Sequence, residues 1–288
     1  MSVVAPVAPV LQPLTLGQLL DRTFTLYRNH FALFIGIAGI PMLTIFAIMF
    51  AGGALAGLAG LATGDATGFL LGFLVVFIAG AIAYLVAYAF ALGATVHAVS
   101  EITLGRAPTV KDSLRRVRGS IGTIVGAVIM VYMAVGVGFL FFIIPGVLLL
   151  LTTCLTIPAI VVEDAGASDA ISRSMKLMKD GWGRAFVIFA LSFFLSMVAS
   201  TIFEFPFAIA TGFVEATGAA ALTLTFLTQI GSIIGAVLAF PISTIAFALL
   251  YFDMRVRKEA FDLQVMMAAL PADGSMPPPP IPPSGLTS

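Results

Sequence analysis

Long runs without a charged side chain dominate the pattern of this chain. Counting His as neutral, they extend over 29–64, 66–100, 119–162, 185–203 and 216–252. A bilayer core takes about 20 helical residues, so the pattern is that of transmembrane helices. The third run is twice as long as one span requires and must fold back on itself. "FFIIPGVLLL" marks the place, because Pro145 removes a backbone donor and Gly146 permits a tight turn. The pattern therefore predicts six helices, over 31–55, 70–96, 121–143, 147–162, 185–210 and 221–250.

Three short segments with a different pattern precede the first, third and fifth of these helices. Placing Arg28 against Arg118 and Lys179 aligns "LDRTFTLYRNHF" with "VKDSLRRVRGSI" and "ISRSMKLMKDGW" without a gap. Leu20, Val110 and Ile171 then correspond, as do Phe24, Leu114 and Met175, Tyr27, Val117 and Met178, and Phe31, Ile121 and Trp182. Their spacing is that of one helix face. The chain reads as an all-α integral membrane protein of three transmembrane hairpins, each preceded by a short amphipathic interfacial helix. Residues 1–14 form a flexible N-terminus, 15–260 the six-helix membrane domain and 261–288 a disordered Pro-rich tail.

Composition agrees with that class. Apolar residues make up 60% of the chain, charged residues 10%, and mean hydropathy is +1.12, whereas soluble domains carry about 25% charged residues. The single cysteine, Cys154, excludes a disulfide framework and a CxxC metal site. "MSVVAPVAPVLQPL" lacks the cations and apolar core of a secretory signal, so the first helix is expected to be retained.

The cations set the expected topology, since Lys and Arg near span ends stay on the cytoplasmic side. All fourteen fall in four segments. These hold Arg22 and Arg28; Arg106, Lys111, Arg115, Arg116 and Arg118; Arg173, Lys176, Lys179 and Arg184; and Arg255, Arg257 and Lys258. With both termini cytoplasmic, every one lies inside, and the outer loops "LATGDATG" and "FVEATG" have none. Basic amphipathic helices can rest in the inner interface with cations at anionic headgroups, at about 1 kcal/mol per cation. Arg106, Lys111, Arg115, Arg116 and Arg118, against the one acid Asp112, are the candidate anionic-lipid contact.

"LTLGQLLDRTFTLYRNHFALFIGIAGIP" and "IIPGVLLLLTTCLTIPAIVVEDAGASDAISRSMKLMKDGWGRAF" resemble the bacterial family of glycerophosphoryl diester phosphodiesterase membrane domains and related six-helix inner-membrane proteins. The resemblance covers about residues 14 to 260 and rests on LDRxFxLYRxxF, a Pro-Gly turn and RSxxLxxxxxW. The resemblance implies the six-helix fold and, as the expected location, a bacterial inner membrane. In that family the domain can precede a soluble catalytic domain, whereas only a short tail follows Phe261 here, so the enzymatic activity is not expected to carry over.

Little in the sequence is equipped for chemistry. His30 and His97 lack the spacing that would place two ligands on one helix face, and no Walker loop or GxSxG occurs. Neither catalytic residues, metal ligands nor a cofactor is expected. Glu204 interrupts a span but falls near the outer boundary, about 30 Å of helical rise from Arg184. Gly53 and Gly57, Gly122 and Gly126, and Gly231 and Gly235 have the spacing that lets helices approach closely. Pro41, Pro158, Pro206 and Pro241 are expected to kink or break their helices.

The expected partners are membrane lipids, together with a protein partner at the cytoplasmic face or at "PPPPIPP" in the tail; nothing points to nucleic acid. The reading favoured by the sequence is a non-enzymatic scaffold or accessory component. Its alternatives are a permease or channel-like subunit and a membrane domain assisting a separate lipid or glycerophosphodiester enzyme. Alkaline phosphatase fused after Gly64 or Gly218 should be active and after Arg118 or Lys179 silent; the reverse pattern in a fusion assay would refute the topology.

Overall fold

The computed structural model describes residues 13–63, 66–213 and 219–259. These form ten helices and no strand: α1 (Leu16–Asn29), α2 (Phe31–Thr63), α3 (Ala66–Thr103), α4 (Val110–Val117), α5 (Ile121–Phe141), α6 (Ile143–Thr153), α7 (Thr156–Glu163), α8 (Ala167–Met178), α9 (Trp182–Phe213) and α10 (Ala219–Glu259). Six segments are long and apolar enough to cross a membrane, with α6 and α7 together forming one of them. This is the make-up of a multi-pass membrane protein. The tail, with "PPPPIPP", and the acids Asp65 and Glu215 lie outside the described residues.

The short helices begin where side chains can answer free N–H groups. Thr15 caps α1 reciprocally: its Oγ1 accepts from the Gln18 N–H, while Gln18 Oε1 accepts from the Thr15 N–H at 2.9 Å. Thr109 caps α4 by accepting from the Asp112 N–H at 3.2 Å.

The turn expected at Pro145 and Gly146 falls earlier. Phe142 is extended and separates α5 from α6, which places Pro145 in the first turn of α6. Proline is tolerated there because the first-turn N–H groups have no helical acceptor. The residue four positions upstream, Phe141, is the last of α5, since its carbonyl can receive no helical bond from Pro145. Pro158 acts alike. It stands in the first turn of α7, and the helix breaks at Cys154 and Leu155, because Pro158 cannot donate to the Cys154 carbonyl. Pro41, Pro206 and Pro241 instead lie inside unbroken helices.

α2 packs along α3, α5 along α6 and α9 along α10. α3, α7 and α10 also touch one another, so they form the middle of the bundle. The core follows this arrangement, with Ala89, Ala94, Val99, Ile160, Ile245 and Leu250 all buried. α1 rests on α10 and α2, α4 on α3 and α2, and α8 on α5, α6 and α7.

The short helices turn inward a face that coincides only in part with the expected stripe. Buried positions are Leu19 and Thr23 on α1, Ser113 and Val117 on α4, and Ala170, Ser174, Leu177 and Met178 on α8. Phe24, Met175 and Trp182, all in the expected stripe, are exposed. Each helix has a protein-facing side and, beside it, an outward apolar side, and the stripe mixes the two. The gapless alignment superposes Thr23, Ser113 and Ser174, and each is fully buried. A small residue lets the short helix approach the bundle. Ser174 also bridges the α6–α7 break, accepting from the Leu155 N–H at 3.0 Å and donating to the Thr152 carbonyl at 2.7 Å.

The glycine pairs differ sharply. A Cβ at Gly231 would lie 2.4 Å from the Phe203 carbonyl oxygen, and one at Gly235 would lie 2.7 Å from Ser200 Cα, so both serve the contact of α10 with α9. At Gly53, Gly57, Gly122 and Gly126 a Cβ would meet nothing within 4 Å. Other close approaches fall at glycines outside those pairs: Gly138 against the Gly146 backbone, and Gly93 against Val117 of α4. Gly235→Val should destabilise the fold by about 1–3 kcal/mol through overpacking against backbone, while Gly126→Ala should stay within about 0.5 kcal/mol. Unfolding of both variants in detergent checks this, and equal effects would contradict the packing described.

Candidate functional site

Every described Lys and Arg lies at one end of the bundle, opposite the junctions of α2 with α3, α5 with α6 and α9 with α10. The structure divides the candidate lipid contacts. Arg106 pairs with Glu101 at 3.2 Å and Arg116 with Asp164 at 2.9 Å. Lys111, Arg115 and Arg118 are exposed and form no ion pair among the described residues. The apolar side of α4, expected to dip toward acyl chains, is taken up by protein: Val117 packs on Gly93 of α3, and Val110 lies beside Gly36 of α2. That packing leaves the three unpaired cations on the outer side of α4.

Eight further charged side chains at this end, Glu163, Arg173, Arg184, Asp253, Arg255, Arg257, Lys258 and Glu259, gather around the last turns of α10, most of them in two ion-pair networks. In the first, Asp253 is 2% exposed. Its carboxylate accepts from the Leu14 N–H at 2.7 Å, from Arg257 Nε at 3.0 Å and from Arg184 at the start of α9. The Leu14 carbonyl accepts in turn from Arg257 at 2.6 Å and from Arg184 at 3.3 Å. One carboxylate thereby joins α10, α9 and the approach to α1.

In the second, Arg173 of α8 lies between two acids. It donates to Glu163 at the end of α7 at 3.0 Å and to Glu259 at the end of α10 at 2.7 Å. Tyr251 donates its hydroxyl to Glu163, and the Arg255 guanidinium lies 5.8 Å from the centre of the Tyr251 ring. Hydrogen bonds to Glu259 and then to Glu163 hold the Arg173 guanidinium above its ordinary pKa. Planar, two-sided pairing of this kind suits Arg and not Lys. Lys258 adds donors to the carbonyls of Lys176 and Lys179.

Deeper in the bundle is a cavity of about 390 Å³ bounded by α3, α5, α6, α7, α9 and α10, a size within the usual range of about 300–1,000 Å³ for ligand pockets. No charged side chain lines it. Its walls combine aromatic side chains, including Tyr88, Phe189 and Phe240, with Thr153, Cys154 and Thr156 from the α6–α7 break. Ser192 and Ser196 contribute from α9, and Ser243 and Thr244 from α10. Glu204 is half-buried on α9 and lines neither cavity nor network. His30 closes α1, its ring Nδ1 lying 3.3 Å from the Leu26 carbonyl. Among the described residues no cluster of three or more His, Cys, Asp or Glu side chains is placed to hold a metal ion.

Neither a family model, a curated protein nor a solved structure matches this chain.

The networks and cavity were missed by sequence reading for different reasons. The pairs Asp253 with Arg257 and Arg255 with Glu259 are four apart on one helix and readable as such. Arg173, Arg184 and Leu14 are distant in sequence and carry no local signal of their partners. Asp253→Asn should cost roughly 2–3 kcal/mol, less than the ~3–5 for breaking a fully buried pair, because Arg184 and Arg257 keep part of their exposure to water. Asp164→Asn, at an exposed pair, should cost at most about 1 kcal/mol. Denaturant unfolding in detergent compares the two, and a neutral Asp253→Asn would remove the network's structural role.

Proposed function

We propose that the chain is a non-enzymatic multi-pass protein of a bacterial inner membrane, a scaffold or accessory component with both termini cytoplasmic. Its six helices act as three hairpins, each preceded by a short helix at the inner interface. Three observations support this reading: the lengthwise packing of α2 on α3, α5 on α6 and α9 on α10, the burial of the superposed Thr23, Ser113 and Ser174, and the gathering of cations at one end.

The observation that carries the proposal is the use to which the charged groups are put. Asp253, Arg184 and Arg257 saturate one another and Leu14, while Arg173, Glu163, Glu259 and Arg255 do the same around Tyr251. Charge spent in this way fixes helices in place. Among the described cations outside these pairs, Lys111, Arg115 and Arg118 stand together on one short helix and its cap, and they point the proposal toward anionic headgroups of the inner leaflet, where the negative surface potential is strongest. Phe24, Met175 and Trp182, exposed on or beside the short helices, suit the acyl boundary next to them.

A second reading, a permease or channel-like subunit, takes its support from the α6–α7 break. Non-helical backbone at membrane depth is tolerated where it is buried in protein or lines a cavity, and Thr153, Cys154 and Thr156 line one here. Helix breaks beside a midplane site are a feature of transporters.

Loss of the protein should change envelope properties such as detergent sensitivity, while the purified chain in vesicles neither hydrolyses glycerophosphodiesters nor moves solutes; turnover or flux would overturn the scaffold reading. The lipid collar has its own test. In reconstituted chain, energy transfer to a labelled anionic lipid should exceed transfer to a zwitterionic one and fall with salt. Neutralising Lys111, Arg115 and Arg118 together should weaken that preference by roughly 3 kcal/mol at most, and an unchanged preference would leave these cations a topological role alone.

A further inference from the structure

We propose that the cavity is a binding site for an uncharged, ester-linked membrane lipid of the acylglycerol class, which reaches it sideways from the bilayer between α5 and α9.

Access comes first. Tyr132 of α5 and Phe193 of α9 both line the cavity, yet they are 57% and 73% exposed. A side chain that contributes to both the wall and the outer surface marks an opening. α9 packs along α10 and more lightly on α6, and makes no substantial contact with α5. The opening therefore faces the hydrocarbon of the membrane. On the cation-bearing side, the Arg173 network ties α8 to the ends of α7 and α10, so a water-soluble solute meets ion-paired side chains there.

The wall then selects against charge. An ionised group in this cavity would find no counter-charge among the lining residues, and burying an unpaired charge is strongly unfavourable. Phosphate-bearing and ammonium-bearing headgroups are excluded on that ground, and hydrocarbon with a neutral polar function is accepted.

The hydroxyls specify the polar function. Thr153 donates to the Leu149 carbonyl, Thr156 to Thr153, and Ser243 and Thr244 both to Phe240, at 2.6 to 3.2 Å. Their protons are occupied within their own helices. Ser192 and Ser196 are different. They stand one turn apart on α9, line the cavity and form no hydrogen bond among the described residues. A Ser inside a membrane helix commonly bonds back to the carbonyl four residues earlier, so two neighbouring hydroxyls that do not are donors awaiting an acceptor. Ester carbonyls supply acceptors without charge. Acyl chains would run along Phe189, Phe240 and Phe247 and leave between Tyr132 and Phe193.

The test uses the full chain in nanodiscs of zwitterionic phospholipid. A diacylglycerol with a diazirine in one acyl chain is photolysed, and labelled peptides are mapped. Labelling should concentrate on the cavity-lining parts of α5, α9 and α10, and unlabelled diacylglycerol should suppress it at these peptides several-fold. Phosphatidic acid with the same diazirine chain should label them at least fivefold less. Filling the site with Ser192→Phe and Ser196→Phe should lower labelling by about the same factor, while Ala190→Phe on the exposed side of α9 should not. Labelling spread evenly over the lipid-facing helices, equal labelling by the phosphatidic acid probe, or failure of unlabelled diacylglycerol to compete in the native chain would each overturn the proposal. The competition arm needs no variant, so it decides even if the filled protein does not fold.

Discussion

A carboxylate withdrawn from water must be met by cations and N–H groups, and Asp253 is that carboxylate here. Two guanidiniums and the Leu14 N–H converge on it, and their own spare donors close on the Leu14 carbonyl. Its position near the end of α10 makes it a junction, because α10 is the helix that touches α1, α2, α3, α7, α8 and α9. Residues of α10 on both sides of Asp253 extend the same logic. Tyr251 and Arg255 reach Glu163, and Glu259 reaches Arg173. α10 continues to Glu259, beyond the predicted 221–250, and its i, i+4 pairs support the helix over those last turns. Taking such ions out of water is costly, and the cost is offset only where every partner is placed. The reward is fixed geometry more than stability.

Away from this end, the fold rests on a different constraint. Hydrocarbon offers no partner for a free backbone group, so each interruption of a helix needs local repair. Phe142 separates α5 from α6 with Pro145 in the first turn that follows. At the α6–α7 break Pro158 takes the corresponding place, and Ser174 from α8 supplies the missing donor and acceptor. Tyr27 of α1 likewise donates to the Leu238 carbonyl at 3.0 Å, one residue from the carbonyl that Pro241 deprives of its helical donor. α8 and α1 are thus each tied to a span by hydrogen bonds close to a proline.

The six apolar helices were legible because length and the absence of charge are one-dimensional properties. The turn before α6 was misplaced by a few residues because Pro145 signals a helix start as readily as a turn, and only the Phe142 backbone decides between them. The stripe on the short helices was read one position off in part. Thr23, Ser113 and Ser174 are polar by type, yet they are the buried positions, since small size counts for more than apolarity where one helix presses on a bundle. Gly231 and Gly235 make close contacts and Gly53 and Gly57 do not, a difference set wholly by what lies across from them. The cavity had no signature, because Tyr88, Ser192 and Thr244 come from three helices that the sequence does not pair.

Hydrogen exchange across the whole chain in detergent, comparing the native protein with Arg173→Gln, tests most directly whether the cation-bearing end is one cooperative structure. Arg173, in the middle of α8, links that helix to the ends of α7 and α10. The account predicts that exchange rises together at the end of α7, throughout α8 and over the last turns of α10, segments far apart in sequence, while the close-packed contact of α9 with Gly231 and Gly235 keeps its protection. A rise confined to α8, with α7 and α10 unchanged, would contradict it.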